Sequence, residues 1–154
     1  MSRCQAASES RTALSVSRTA PLPGASGAVR VASPGPAHVN SLPMLLSRHE
    51  IRGIDLDAQT RCAHYHSELD IVAIKMKCCG IYYACKDCHE ALAGHPIEVW
   101  PRRDWAERAV LCGACGTALS IEQYVSSGAR CPACGAAFNP GCRRHFHIYF
   151  SGEI

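Results

Sequence analysis

The chain has 154 residues, with 16 Lys and Arg against 13 Asp and Glu for a formal net charge of +3, and 11 cysteines. No stretch approaches the ~18 apolar residues of a membrane span, and the arginine-dotted N-terminus lacks the continuous apolar run of an export signal, which argues against a membrane-spanning or signal-directed protein. A disulfide framework is disfavoured as well: the cysteine number is odd, adjacent Cys78 and Cys79 are badly placed to bridge each other, and the histidines would go unexplained.

In chain order, residues 1–43 are dominated by Ser, Ala, Gly, Pro and Arg, and pieces such as PLPGASG and SPGPAH have neither helical nor alternating apolar periodicity. Residues 1–49 are therefore expected to be a disordered, low-complexity arm, with Cys4 a free thiol and a faint likeness to a transit peptide. A start of translation at Met44 would remove most of it. The ordered domain is expected over residues 50–150. Leu69 to Lys77 alternates near period two and predicts a strand delivering Cys78 and Cys79, followed by a short Ile81–Ala84 strand into Cys85. The segment from Cys85 to His95 predicts one helical piece, and Arg108 to Leu111 another strand. Cys112-Gly-Ala-Cys115-Gly and Cys131-Pro-Ala-Cys134-Gly read as zinc knuckles, in which the glycine after the second thiol permits a tight turn. Between them Ser120-Ile-Glu-Gln123 has the form of a capping box and predicts a helix to about Ser126.

Twelve metal-ligand side chains fall between Cys62 and Cys134: Cys62, His64, Cys78, Cys79, Cys85, Cys88, His89, His95, Cys112, Cys115, Cys131 and Cys134. Twelve is three sets of four, the number a structural zinc ion takes, so three closed Zn2+ sites per chain are expected with no open position for catalysis. Iron–sulfur clusters prefer all-thiolate sets, and calcium or magnesium wants oxygen ligands that these groups lack. Residues 51–154 carry eleven cationic and eleven anionic side chains, and nine thiolates against three zinc ions shift that balance to −3. Such a module suits phosphate backbones poorly, so no nucleic-acid partner is expected. Roughly 100 residues with short elements hold a small core, and metal crosslinks supply what apolar burial does not. The expected fold is a small metal-stabilised α+β domain.

Cys62-Ala-His64-Tyr65, the vicinal Cys78-Cys79, Cys85-Lys-Asp-Cys88-His89, His95 and the two knuckles together resemble the CHY-type zinc finger over about residues 50–150. The resemblance implies three zinc ions on these twelve positions. It suggests Cys62, His64, Cys85 and Cys88 on one ion, Cys78, Cys79, His89 and His95 on a second, and Cys112, Cys115, Cys131 and Cys134 on a third; exchanging paired donors between the first two sets also leaves four each. No further set of eight ligands follows, so the ubiquitin-ligase form of the family is not supported. The short stand-alone form, similar to the small-Tim helper family of the mitochondrial intermembrane space, fits better, and the ending from Phe138 to His147 looks like its tail. The low lysine count points instead toward a GC-rich bacterial genome and a cytoplasmic location.

Cys142, His145 and His147 remain. They either pack at the domain end beside Phe146, Tyr149 and Phe150 or form a partial, exchangeable metal site. The expected function is a monomeric, non-catalytic zinc module that meets a protein partner, with Trp100 and Trp105 as candidate contacts, although such aromatics are more often core. The alternative is a zinc or thiol-redox chaperone acting on a client protein. A Cys-x-x-Cys oxidoreductase would need a βαβ context that the sequence lacks.

Overall fold

The computed structural model describes residues 40–152. The expectations placed on residues 1–39, including the disordered arm and the lone Cys4, lie outside them. Residues 40–49, grouped with that arm by composition, instead open the sheet. Strands β1 (Met44–Leu46) and β2 (His49–Arg52) form an antiparallel hairpin in which Met44 faces Ile51 and Leu46 faces His49. The domain boundary therefore lies ahead of residue 50. Its turn residues Ser47 and Arg48 both have positive φ, 46° and 78°. That geometry usually announces itself as Asn-Gly or Asp-Gly, and Ser-Arg carries no such signal.

Four more strands complete one mixed sheet: β3 (Val72–Lys75), β4 (Tyr82–Tyr83), β5 (Val110–Cys112) and β6 (Ala118–Leu119), in the order β1-β2-β4-β3-β5-β6. Every pairing is antiparallel except β2 with β4. Alternation along the strands sorts side chains between two apolar clusters. Ile74, Tyr83, Val110 and Cys112 enter the larger one, whereas Ala73, Tyr82 and Leu111 join Ile51 in a smaller one. The strand expected over Leu69–Lys77 is shorter at both ends. At its start the Asp70 carboxylate accepts from the Ser67 N–H at 2.9 Å and from the Asn139 amide at 2.8 Å, a local pairing that competes with the ladder.

Helix α1 (Lys86–Ala93) runs from an N-cap at Cys85 to a left-handed Gly94 with φ 69°. The capping box holds as read from the sequence: the Gln123 N–H donates to Ser120 Oγ at 3.1 Å, the Ser120 N–H donates to Gln123 Oε1 at 3.0 Å, and α2 spans Ile121–Ser126. After a 3-10 turn at Arg102–Asp104, a second 3-10 segment at Pro140–His145 leads into α3 (Phe146–Tyr149). Asn139 caps that segment by accepting from the Gly141 N–H at 2.8 Å. The C-terminal end then docks, with Phe146 and Phe150 buried and Phe150 bridged to Trp100. Both tryptophans belong to the packing rather than to a free surface: Trp105 is 4% exposed, and the half-buried Trp100 donates its indole N–H to the Lys75 carbonyl at 2.8 Å. Among the described residues, no helix is long and apolar enough to cross a membrane.

Candidate metal centres

The knuckle turns share one backbone device. In Cys112–Gly116 and Cys131–Gly135 the glycine N–H donates to the carbonyl of the first cysteine at 2.8 Å, and the glycines have φ of 70° and 77°. Met76–Gly80 makes the same turn, with Gly80 N–H to Met76 carbonyl at 2.8 Å and φ 72° at Gly80. The vicinal pair is thus a third knuckle whose first thiol is replaced by Met76. Gly80 directly after Cys79 was the signal for it, and no Cys-x-x-Cys spacing accompanied it.

These turns bring the twelve side chains into three groups: Cys62, His64, Cys85 and Cys88; Cys78, Cys79, His89 and His95; Cys112, Cys115, Cys131 and Cys134. Within each, the ligand atoms lie within 4.8 Å of one another. The separations discriminate between chemistries. A tetrahedron with Zn–S of about 2.3 Å has S···S edges of about 3.8 Å, and one Zn–N of about 2.0–2.1 Å gives S···N edges of about 3.5 Å. Cys62 and Cys85 sulfurs are 3.7 Å apart, and the Cys112–Cys134 and Cys115–Cys131 pairs are each 3.9 Å. His64 Nδ1 is 3.6 Å from the Cys85 sulfur and 3.4 Å from that of Cys88, and His89 Nε2 is 3.3 Å from Cys78 and 3.9 Å from Cys79. All are far beyond the ~2.05 Å of a disulfide and match tetrahedral edges. The donor sets fit zinc.

Helix α1 ties the first two groups together, since its buried Cys88 belongs to the first and its buried His89 to the second. Adjacent residues point about 100° apart on a helix, so one turn serves two centres. Cys85 caps α1 through its sulfur, which accepts from the Cys88 N–H at 3.3 Å, and the Ile54 N–H reaches the Cys88 sulfur at 3.4 Å. Both N–H groups favour thiolates, as does the positive end of the helix. Three sulfurs this close cannot all be charged without a cation: hydrogen bonding with Cys85 holds the Cys62 thiol below its ordinary range, and the same contact pushes Cys85 far above it. A dication relieves that conflict. In the second group, burial and then the nearby His95 hold His89 below the ordinary imidazole range, leaving its nitrogen lone pair available. His95 pairs Nδ1 with the Pro96 carbonyl at 3.2 Å, which leaves Nε2 as its free donor atom, the outer-shell arrangement common to ligating histidines. His89 departs from it, because its buried Nδ1 has no hydrogen-bond partner.

Cys142, His145 and His147 do not form a comparable group. Cys142 and His145 instead line a cavity with Phe146 and Tyr149, and burial pushes the Cys142 thiol up.

Closed Cys/His tetrads joined by knuckle turns on short strands define a small zinc-finger protein with three potential metal sites. The chain belongs to the CHY zinc finger family, whose pattern matches residues 62–142. It is 42% identical over 103 residues to Helper of Tim protein 13 of Saccharomyces cerevisiae, covering 65% of this chain and 89% of that protein. The Kluyveromyces lactis protein of the same name is 39% identical over 105 residues, 68% of this chain and 91% of its own length. A Schizosaccharomyces pombe protein is 39% identical over 108 residues, 70% of this chain and 95% of its own. No solved structure matches the chain.

Proposed function

We propose that this protein is a non-catalytic interaction module built by three zinc ions, and that the twelve grouped side chains are their ligands. Cys62, His64, Cys85 and Cys88 form a Cys3His shell, Cys78, Cys79, His89 and His95 a Cys2His2 shell, and Cys112, Cys115, Cys131 and Cys134 a Cys4 shell. The observation that carries this reading is the set of tetrahedral-edge distances, which fills every group with four protein donors and leaves no position for a substrate. Helper of Tim protein 13 is named as a helper of another protein, and we carry over to this chain a protein client and no more. We assign the zinc-dependent domain to residues 40–150. For a eukaryotic source the resemblance to the small-Tim helpers supports a mitochondrial intermembrane-space location; for a bacterial source the compartment we propose is the cytoplasm.

Native mass spectrometry with metal analysis tests the ligand scheme. Three zinc ions per chain are expected, unchanged in Cys142→Ser and reduced by one in Cys134→Ser. Fewer than three under excess zinc would break the assignment.

A second reading, a zinc or thiol chaperone, is favoured by one contrast. Cys62, Cys85 and Cys88 of the first centre are buried, whereas Cys78 and Cys79 of the second are half-buried and Cys115 and Cys134 of the third are exposed. If the more open centres donate metal, a chromophoric chelator of moderate affinity is expected to take zinc from the second and third centres well before the first. Simultaneous release of all three would sink that reading.

A further inference from the structure

A partly open cavity of ≈ 70 Å³ lies between β3 and the C-terminal segment, and none of the three metal groups uses it apart from Cys85 at its wall. Its apolar lining comes from Val72 and Ile74 of β3 and from Phe146, Tyr149 and Phe150. The exposed lining is mostly apolar, with polar groups of Tyr65, Lys86, Tyr124, Cys142 and His145 at its wall. The Tyr149 hydroxyl already accepts from the Lys86 N–H at 2.9 Å, and both Asp70 oxygens are engaged by Asn139 and Ser67. An apolar cavity of ~150 Å³ takes benzene, so about half that volume suits a branched aliphatic side chain better than a ring.

The C-terminal side of this opening is basic, while the rest of the lining holds the Asp70 carboxylate and a Lys86 already paired with Asp87 at 2.6 Å. Arg143 and Arg144 stand exposed between the lining residues Cys142 and His145, and neither makes an ion pair among the described residues. From Asn139 to Phe150 the chain has no acidic residue. The charge of residues 1–39, four arginines against one glutamate, has the same sign, which disfavours the chain's own N-terminal segment as occupant.

We propose that this cavity is the docking site for a partner protein, receiving one aliphatic side chain from an extended acidic segment whose carboxylates meet Arg143 and Arg144. The proposal rests on the protein-interaction reading and adds to it a place and a partner chemistry. Buried apolar anchors carry affinity, whereas the arginine rim selects charge and speeds encounter.

Selection from a random peptide library displayed on phage, against the zinc-loaded full chain, tests it. The expected result is enrichment of peptides with an aliphatic residue flanked by Asp or Glu. A synthetic peptide of that enriched sequence is expected to bind at least tenfold more weakly to Cys142→Leu, which fills the cavity. The same loss is expected for the doubly substituted Arg143→Glu, Arg144→Glu chain, which alters only exposed side chains and guards against misfolding in the first variant. Zinc content is to remain at three in both. Enriched peptides that bind both variants as well as the parent would overturn the cavity while leaving the interaction reading intact. No enrichment, or enrichment of arginine-rich peptides like residues 1–39, would overturn the proposal too. So would concentration-dependent dimerisation abolished by Cys142→Leu, which would seat a second copy there.

Discussion

Gly113 sits inside the Cys112–Cys115 knuckle, yet what it touches is the loop leading to Cys62. A Cβ added there would collide with the Gln59 carbonyl oxygen and lie 2.6 Å from Thr60 Oγ1. Because the obstacle is backbone, it cannot swing aside. Gly113→Ala is therefore expected to lower zinc retention against a chelator at the third centre and at the first, since the same displacement moves the segment that presents Cys62. Gly94→Ala is the control: it also removes a glycine, but no atom lies within 4 Å, so only the cost of a left-handed φ of about 1 kcal/mol is expected. The turn before Cys62 depends on Asp57 as well. Burial works to raise its pKa, but hydrogen bonds from the Arg61 side chain and from the Gln59 and Arg61 N–H groups prevail and hold it below the ordinary value. A depressed carboxylate contributes stability above its unfolded pKa of about 3.9, and that contribution is lost as pH falls through the lower folded value. Asp57→Asn is expected to cost about 1–2 kcal/mol at pH 7, read from the thermal midpoint of the zinc-loaded protein.

At the scale of elements, what could be read from sequence was whatever a single residue type dictates. Ser120 and Gln123 determine a helix start because only that pair satisfies two orphan N–H groups reciprocally. Ser120→Ala is expected to lower the thermal midpoint by the equivalent of about 1 kcal/mol and leave three zinc ions bound, since α2 carries no proposed ligand. The two Cys-x-x-Cys-Gly turns were legible for the same reason. The β1–β2 hairpin was not, because its left-handed turn is built from Ser47 and Arg48 and its apolar run is three residues long. Nor was β6, two residues whose pairing with β5 is set by the knuckle between them. The twelve candidate ligands could be named from order and spacing. Their grouping depends on α1 turning Cys88 and His89 to different centres, which spacing alone leaves open.

For the whole molecule, the larger cluster of buried residues includes Cys62, Cys85, Cys88, Cys112 and Cys131. Five of its eighteen residues are therefore proposed metal ligands, so the zinc ions we propose would tie the core directly to the first and third centres. Structural zinc contributes on the order of 10–16 kcal/mol of apparent folding free energy per site in zinc-finger peptides. Complete chelation is expected to abolish most of the far-ultraviolet circular dichroism, and zinc readdition to restore it. An unchanged spectrum after verified metal removal would show that the sheet stands without the ions. The zinc-loaded domain also carries less positive charge than the sequence suggests, which sharpens the contrast with the arginines beside the C-terminal cavity.

The parallel alignment of β2 with β4 bears on how the chain reaches this state in time. Ile51 pairs with Tyr82 and Arg52 with Tyr83, across a stretch that includes Cys62, His64, Cys78 and Cys79. Parallel neighbours cannot be joined by a tight turn, so the encounter waits on distant parts of the chain. The hairpin that emerges from the ribosome ahead of every proposed ligand has no edge to join until Tyr82 and Tyr83 are in place. The earliest described segment to be synthesised must then wait for β4, and until it docks, the edge of β4 stands open to the strands of other molecules.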